Sequence, residues 1–165
     1  MAVPILKRMA WALLLLLLQV LVLDLVHPWG YGAPLVCSLV VITLPMGTSR
    51  SEALLWGFGT GLIADIFAGT PGISSAALTL VGLVQPPLLE LMAPRDSEEE
   101  LYPSFSAMGR WNYLRFIILL LLVHHIAYFA LEGFSYFRIE DTVTSMGVSY
   151  AASLLIILLA EQLRS

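Results

Sequence analysis

Residues 11–26, WALLLLLLQVLVLDLV, form an apolar run with six consecutive leucines from Leu13 to Leu18. Lys7 and Arg8 precede the run, as they would in a secretion signal, but a signal peptide has a shorter core that ends at small residues. Here the sequence continues with the bulky stretch HPWGY, and further apolar segments follow directly. We therefore predict that the run is retained as a first transmembrane helix.

The composition of the whole chain also indicates a membrane protein. Of its 165 residues, 59% are hydrophobic and 12% are charged, whereas about 25% are charged in an ordinary soluble domain. A soluble fold of this size would lack the polar groups needed to cover its surface. There is no basic tract, so we predict no nucleic-acid partner, and the single cysteine, Cys37, excludes an internal disulfide. Membrane lipid is the predicted surrounding.

Turn signals divide the rest of the chain into five more apolar segments. These are residues 34 to about 44, 53–68, 73–92, 113 to about 137, and about 143–159. The second segment has only about a dozen residues, so it must extend into its flanks, thin the bilayer or tilt inside the bundle. We predict an all-α polytopic bundle of about six transmembrane helices, with one membrane domain covering residues 1–165.

The basic residues predict an orientation for this bundle. With six spans and a cytoplasmic N-terminus, seven of the eight Lys and Arg residues lie inside and only Arg138 lies outside, in agreement with the positive-inside rule. Omitting the second span would reverse every later loop and spread these residues over both faces. Both termini and the polar loop at about 93–112 are therefore predicted to be cytoplasmic.

Helix ends are predicted from caps and prolines. Ser49 or Ser51 is expected to cap the third segment, and Ser74 and Ser75 are expected to cap the fourth. The Pro86-Pro87 pair removes two backbone donors, so it should kink or end the fourth helix near its inner end.

The third segment and the turn after it carry the richest motif, GFGTGLIADIFAGTPG at residues 57–72. Gly57 and Gly61 are four residues apart and share one face of a helix with Asp65 and Gly69, which forms a ridge that another helix can approach to backbone contact. The spacing does not match a dinucleotide fingerprint. The predicted helix-packing or partner-binding surface consists of Gly57, Gly61, Asp65, Gly69, Pro71 and Gly72.

Asp65 allows two interpretations. A carboxylate within a span, toward its outer end, needs a partner, a proton or water, so Asp65 is either an ion or proton site, or a hydrogen-bonding group for a facing helix or the turn at 69–72. Hydrogen bonding of the turn is preferred, because one acid without a companion base is a poor proton relay.

Four more polar residues are candidates for intramembrane contacts. His124 and His125 are adjacent and point about 100° apart on a helix, so they cannot chelate one metal ion from one face, and we predict that one imidazole bonds to another helix. Asp24 and Glu132 lie near outer helix ends and would form a polar outer pocket if they met Asp65. No catalytic, cofactor-binding or metal-binding pattern is present, so we predict a protein that is not an enzyme and holds no cofactor.

Residues 57–72 resemble the family of the rod shape-determining protein MreD, in which a glycine-leucine-x-x-aspartate run precedes a glycine-proline turn. Here that run is Gly61 to Asp65, and the turn is GTPG at residues 69–72. The stretch PPLLELMAPRD at residues 86–96, and the His124-His125 pair followed by EGF at residues 132–134, are similar to one branch of the family. The resemblance extends over nearly the whole chain.

The resemblance implies a non-enzymatic scaffold of the cell-wall elongation machinery in the bacterial inner membrane. The implied partners are the bitopic protein MreC, the actin-like MreB, the glycosyltransferase RodA and a penicillin-binding transpeptidase, with a homodimer as a further option. The glycine ridge and outer helix ends would hold the membrane helix of MreC, and the cytoplasmic loop would face MreB. The family has also been likened in fold to substrate-binding subunits of energy-coupling vitamin transporters, so a small-molecule pocket is the alternative.

Overall fold

The computed structural model describes residues 2–25, 32–94, 101–136 and 139–164, and the regular structure in these ranges is helical. The aromatic pair Trp29 and Tyr31, the acidic part of the loop at 95–100, and Arg138 lie outside the described residues. The helices are α1 (Ala2–Leu21, followed by a 3-10 turn at Leu23–Leu25), α2 (Leu39–Ile42), α3 (Arg50–Ala68), α4 (Ile73–Met92), α5 (Phe105–Met108), α6 (Arg110–Tyr136) and α7 (Ile139–Arg164).

Four of the described helical segments are long and apolar enough to cross a membrane. They are Ile5–Leu25, Ile73–Met92, Arg110–Phe134 and Glu140–Gln162. Their outer faces are apolar: Leu13 in α1 is 58% exposed, Leu91 in α4 is 79% exposed and Leu155 in α7 is 59% exposed. Lipid is the solvent that suits such surfaces. The chain is therefore an all-helical membrane protein, as the composition predicts.

The predicted second helix, at 34 to about 44, is wrong. Only Leu39–Ile42 is helical, and residues 32–36 before it have no regular structure. The segment nevertheless lies inside the bundle, since Val40, Val41, Ile42 and Leu44 are at most 1% exposed. Backbone of this kind is tolerated at membrane depth only where protein groups satisfy its hydrogen bonds. Neighbouring helices supply those groups.

Gln19 of α1 binds the start of the buried segment with both ends of its amide. Its Oε1 accepts from the backbone N–H groups of Val36 at 2.8 Å and Cys37 at 3.4 Å, while its Nε2 donates to the carbonyl of Pro34 at 2.8 Å. The side chain is 2% exposed. These bonds replace the ones that a helix would have given the segment.

Two serines of α7 also bind the backbone of this segment. The hydroxyl of Ser149 donates to the carbonyl of Ala33 at 2.5 Å, and the N–H of Leu35 donates to the Ser153 hydroxyl at 2.8 Å. Gln19, Ser149 and Ser153 were not predicted as partners of this segment. The signal was available in Gln19, because an amide inside a leucine-rich span must find a hydrogen-bond partner.

Replacing Gln19 with leucine should lower the free energy of unfolding by about 2 kcal/mol, because two buried N–H groups and one carbonyl lose their partner. Denaturant titration in mixed micelles measures the change. Gln162→Leu, the same substitution at an exposed position of α7, should alter stability by less than about 0.5 kcal/mol. Equal stability of wild type and Gln19→Leu would contradict this role.

Helix α4 has the predicted bounds, and it continues through Pro86 and Pro87 to Met92. A helix end at the prolines, one of the two predicted outcomes, is therefore excluded. Gln85 lies immediately before them, is fully buried, and donates from Nε2 to the carbonyl of Leu44 at 2.9 Å. The far end of the buried segment is thus bound near the C-terminal end of α4.

Two contacts define one end of the bundle. Arg8 Nη1 lies 2.9 Å from Glu52 Oε1, which places the beginnings of α1 and α3 together. The N–H of Met46 donates to the carbonyl of Leu101 at 2.8 Å, which brings the segment before α5 and α6 to the same end. We call this the basic end; the opposite end, where α1 finishes near Asp24, is the Asp24 end. Ser49 rather than Ser51 caps α3, accepting from the N–H of Glu52 at 3.2 Å.

Candidate functional site

The glycine ridge of α3 is covered by α4. A Cβ placed on Gly57 would lie 2.3 Å from the carbonyl oxygen of Leu78, and one on Gly61 would lie 2.4 Å from the Cα of Ser75. Gly82 of α4 makes an equivalent close contact with α3, since a Cβ placed on Gly82 would lie 2.5 Å from the carbonyl oxygen of Ala53. The prediction that a helix approaches this ridge to backbone contact is confirmed.

The approaching helix, however, belongs to the same chain. Because α3 and α4 are joined only by the turn at residues 69–72, α4 folds back directly onto the ridge. Gly57 and Gly61 are therefore not open to a partner helix, which corrects the prediction for these two positions. Gly69 (φ +67°) and Gly72 (φ +88°) serve the turn itself, since both have left-handed backbone that favours glycine. A partner contact at Gly69, Pro71 and Gly72 stays a prediction.

Asp65 holds this turn and the start of α4. Its Oδ1 accepts from the N–H of Ser74 at 2.7 Å and the hydroxyl of Thr70 at 3.1 Å. Its Oδ2 accepts from the N–H groups of Ser75 at 2.9 Å and Gly72 at 3.2 Å, and from the Ser75 hydroxyl at 2.8 Å. Of the two interpretations of Asp65, hydrogen bonding of the turn is the one that the structure shows.

The arrangement also corrects the predicted cap of α4. Gly72 is the N-cap residue and offers no side chain, so Ser74 and Ser75 are not the caps. Instead, the Asp65 carboxylate of α3 accepts hydrogen bonds from the N–H groups of Gly72, Ser74 and Ser75 at the start of α4. A negative group at a helix N-terminus is favoured both by the unpaired N–H groups and by the helix dipole.

The two histidines of α6 are fully buried. His125 Nδ1 lies 2.8 Å from the carbonyl oxygen of Leu121, and its Nε2 lies 3.3 Å from the hydroxyl of Ser153 on α7. The prediction that one imidazole bonds to another helix is confirmed. Neither ring nitrogen of His124 has a hydrogen-bond partner among the described residues, and its ring centroid lies 6.2 Å from that of Tyr128. Within the same ranges, no group of three or more His, Cys, Asp or Glu side chains is arranged to hold a metal ion.

A polar cavity of about 520 Å³ lies at the Asp24 end. Asp24 and Glu132 both line it, as the predicted outer pocket requires. Asp65 does not line the cavity, because its carboxylate is turned toward α4, but its hydrogen-bond partner Thr70 does.

An apolar groove of about 400 Å³ lies between α1 and α3. Gly59 lines it and has no atom within 4 Å of the position that a Cβ would occupy. Residues two apart on a helix point about 200° apart, so Gly59 faces away from the ridge of Gly57 and Gly61. The groove was not predicted, although the position of Gly59 on the opposite face of α3 from Gly57 and Gly61 was a signal for it. Its other lining residues are Ile5, Met9, Ala12, Leu13 and Leu16 of α1 and Glu52, Leu55, Trp56, Thr60 and Ile63 of α3.

No protein-family model, curated protein or solved structure matches the chain. The resemblance to MreD therefore rests on the sequence stretches quoted above. The two surface features that the fold creates, the apolar groove and the polar cavity, are the observations from which a function can be argued.

Proposed function

We propose that the chain is a non-enzymatic scaffold of the bacterial cell-wall elongation machinery, an MreD-like protein of the inner membrane that binds an MreC-like single-span partner. The observation that carries the proposal is the groove between α1 and α3. The groove is apolar and open at the surface of the bundle, and it has an uncovered glycine, Gly59, in its lining. Small residues let two helix backbones approach closely, which is how helices associate in lipid.

The dimensions of the groove suit part of one transmembrane helix. Along α1 it extends from Ile5 to Leu16, a rise of about 17 Å at 1.5 Å per residue. That is about half of a hydrocarbon core of about 30 Å. Ala12 and Gly59 are small lining residues on opposite sides, so a partner side chain has room between the two helices.

The charge at the basic end supports the same occupant. Glu52 lines the groove there, and its side chain is 45% exposed despite the ion pair with Arg8. A single-span protein with a cytoplasmic N-terminus carries Lys or Arg just before its membrane helix. Glu52 would meet that basic flank when the partner helix lies in the groove.

The scaffold proposal includes six crossings, with both termini in the cytoplasm. Four crossings are the apolar helices α1, α4, α6 and α7, the fifth is α3, and the sixth is the buried segment at residues 34–44. The segment is bound by Gln19 toward the Asp24 end and by Gln85 near the C-terminal end of α4, so it supports a return of the chain through the bundle. The Lys and Arg residues near the described helix ends then favour a cytoplasmic basic end. MreB, RodA and a transpeptidase would meet the complex through its cytoplasmic loop or through MreC.

Gly59→Leu should abolish recovery of the MreC-like partner, because the new side chain fills the groove. The measurement is co-purification of a tagged, co-expressed partner from mild detergent, where we expect at least a tenfold loss, about 1.4 kcal/mol of binding free energy. Gly147→Leu is the matched control, since Gly147 is an open helical glycine on α7. Both variants should remain folded. Full recovery of the partner with Gly59→Leu would refute docking in this groove.

The polar cavity favours a second candidate, a substrate-binding subunit of an energy-coupling vitamin transporter. Its volume of about 520 Å³ lies within the usual range for small-molecule pockets, about 300–1,000 Å³. The same purification separates the two candidates. Stoichiometric ligand and co-purified ATPase subunits, unaffected by Gly59→Leu, would support the transporter over the scaffold.

A further inference from the structure

We propose that the cavity at the Asp24 end binds an organic ammonium cation, a primary or quaternary amine, in addition to any partner that the groove holds. This site is at the opposite end of the bundle from Glu52, and it does not depend on the scaffold proposal.

The charge of the cavity selects a cation. Asp24 and Glu132 are the ionisable acids of its lining, and no basic side chain is among the described residues that line it. Asp24 is held in place, because its Oδ1 accepts from Gln19 Nε2 at 2.6 Å. That bond links the cavity to the amide that also binds the buried segment. Two carboxylates that line one cavity attract a positive ligand.

The aromatic rings of the cavity select an organic cation. Tyr128 and Phe129 of α6 and Phe67 of α3 contribute to its lining. The ring centroids of Tyr128 and Phe129 are 5.3 Å apart. Phe129 is 3% exposed and stacks on His125, so Tyr128 and Phe67 are the rings with surface available to a ligand. Aromatic faces attract ammonium groups, and recognition of choline-like ligands is a common use of them.

A bare metal ion suits the cavity less well. Calcium takes six to eight oxygen ligands, whereas the lining includes apolar groups such as Val20, Leu25 and Leu35. A volume of about 520 Å³ also matches an organic headgroup rather than an ion. The ammonium group of a phosphatidylethanolamine headgroup and that of a free amine have the same chemistry, so the experiment must distinguish the two sources.

Calorimetric titration of the full chain in detergent tests the proposal with two matched pairs of probes. Choline is compared with its neutral isostere 3,3-dimethylbutan-1-ol, and ethanolamine is compared with ethane-1,2-diol. We expect at least one cation to bind about tenfold or more tightly than its neutral counterpart. Equal affinities in both pairs, or no binding of either cation, would overturn the proposal without any variant being made.

Glu132→Gln should weaken binding of that cation by about tenfold or more, while Glu140→Gln, an exposed glutamate at the start of α7, should leave the affinity unchanged. Unaltered affinity in a folded Glu132→Gln protein would overturn the assignment. Native mass spectrometry of protein from phosphatidylethanolamine–phosphatidylglycerol nanodiscs identifies the source. Selective retention of phosphatidylethanolamine by wild type, lost in Glu132→Gln, indicates a lipid headgroup. Cation binding in detergent without such retention indicates a free amine. Preferential binding of Ca²⁺ over both amines would contradict the proposal.

Discussion

Gly61→Ala should destabilise the protein by about 3 kcal/mol, although alanine is a better helix former than glycine. The added methyl group would lie 2.4 Å from the Cα of Ser75 and 2.6 Å from the carbonyl oxygen of Ser74. Both neighbours are backbone atoms, so no side-chain rotation relieves the overlap. The two helices must separate, and their close packing is lost along the whole contact. Denaturant titration in mixed micelles measures the loss.

Gly59→Ala provides the matched control, because it makes the same change two residues earlier in the same helix. No atom lies within 4 Å of the new methyl group, so only helix propensity applies, and stability should rise by up to about 1 kcal/mol. If both variants lose the same stability, then the α3–α4 contact is not what requires Gly61.

Asp65→Asn should cost about 3 kcal/mol, the second large effect. All the hydrogen-bond partners of the Asp65 carboxylate are donors, and each of its two oxygens accepts from at least one backbone N–H group. An asparagine must therefore point its own NH₂ group at another donor, whichever way the amide is turned. The start of α4 also loses a negative charge that interacts favourably with the positive end of the helix dipole.

Glu90→Gln is the control for Asp65→Asn, since it removes an exposed carboxylate from α4 itself. Its effect on the free energy of unfolding should stay below about 0.5 kcal/mol. A Asp65→Asn protein as stable as wild type would show that the turn does not depend on the carboxylate. Loss of partner binding in Asp65→Asn must be compared with the free energy of unfolding of the same variant, because the substitution destabilises the fold.

Much of the helical architecture was predictable because lipid imposes strong local rules. Long apolar runs must be helical in a membrane, and the turn GTPG at residues 69–72 fixes the start of α4 at Ile73, where the structure has it. A serine cap at Ser49 or Ser51 was predictable because a cap depends only on the next three residues, and the structure has it at Ser49.

The buried segment at residues 34–44 was not predictable in this way. Its sequence is as apolar as that of a helix, and only the positions of Gln19, Ser149 and Ser153 on two distant helices make a non-helical backbone acceptable. Single-sequence patterns carry no information about which side chains meet across the bundle.

By itself, the sequence determined that this is an all-helical membrane protein, that α4 spans residues 73–92, and that α3 has a face of small residues. The tertiary structure decided which helix covers that face, which surface remains open beside Gly59, and that Asp24 and Glu132 share a cavity while Asp65 does not. The physical reason is the distance along the sequence over which each effect acts. Hydrophobicity, caps and glycine spacing act between residues a few positions apart, whereas the helix that covers a given surface depends on how the entire chain packs.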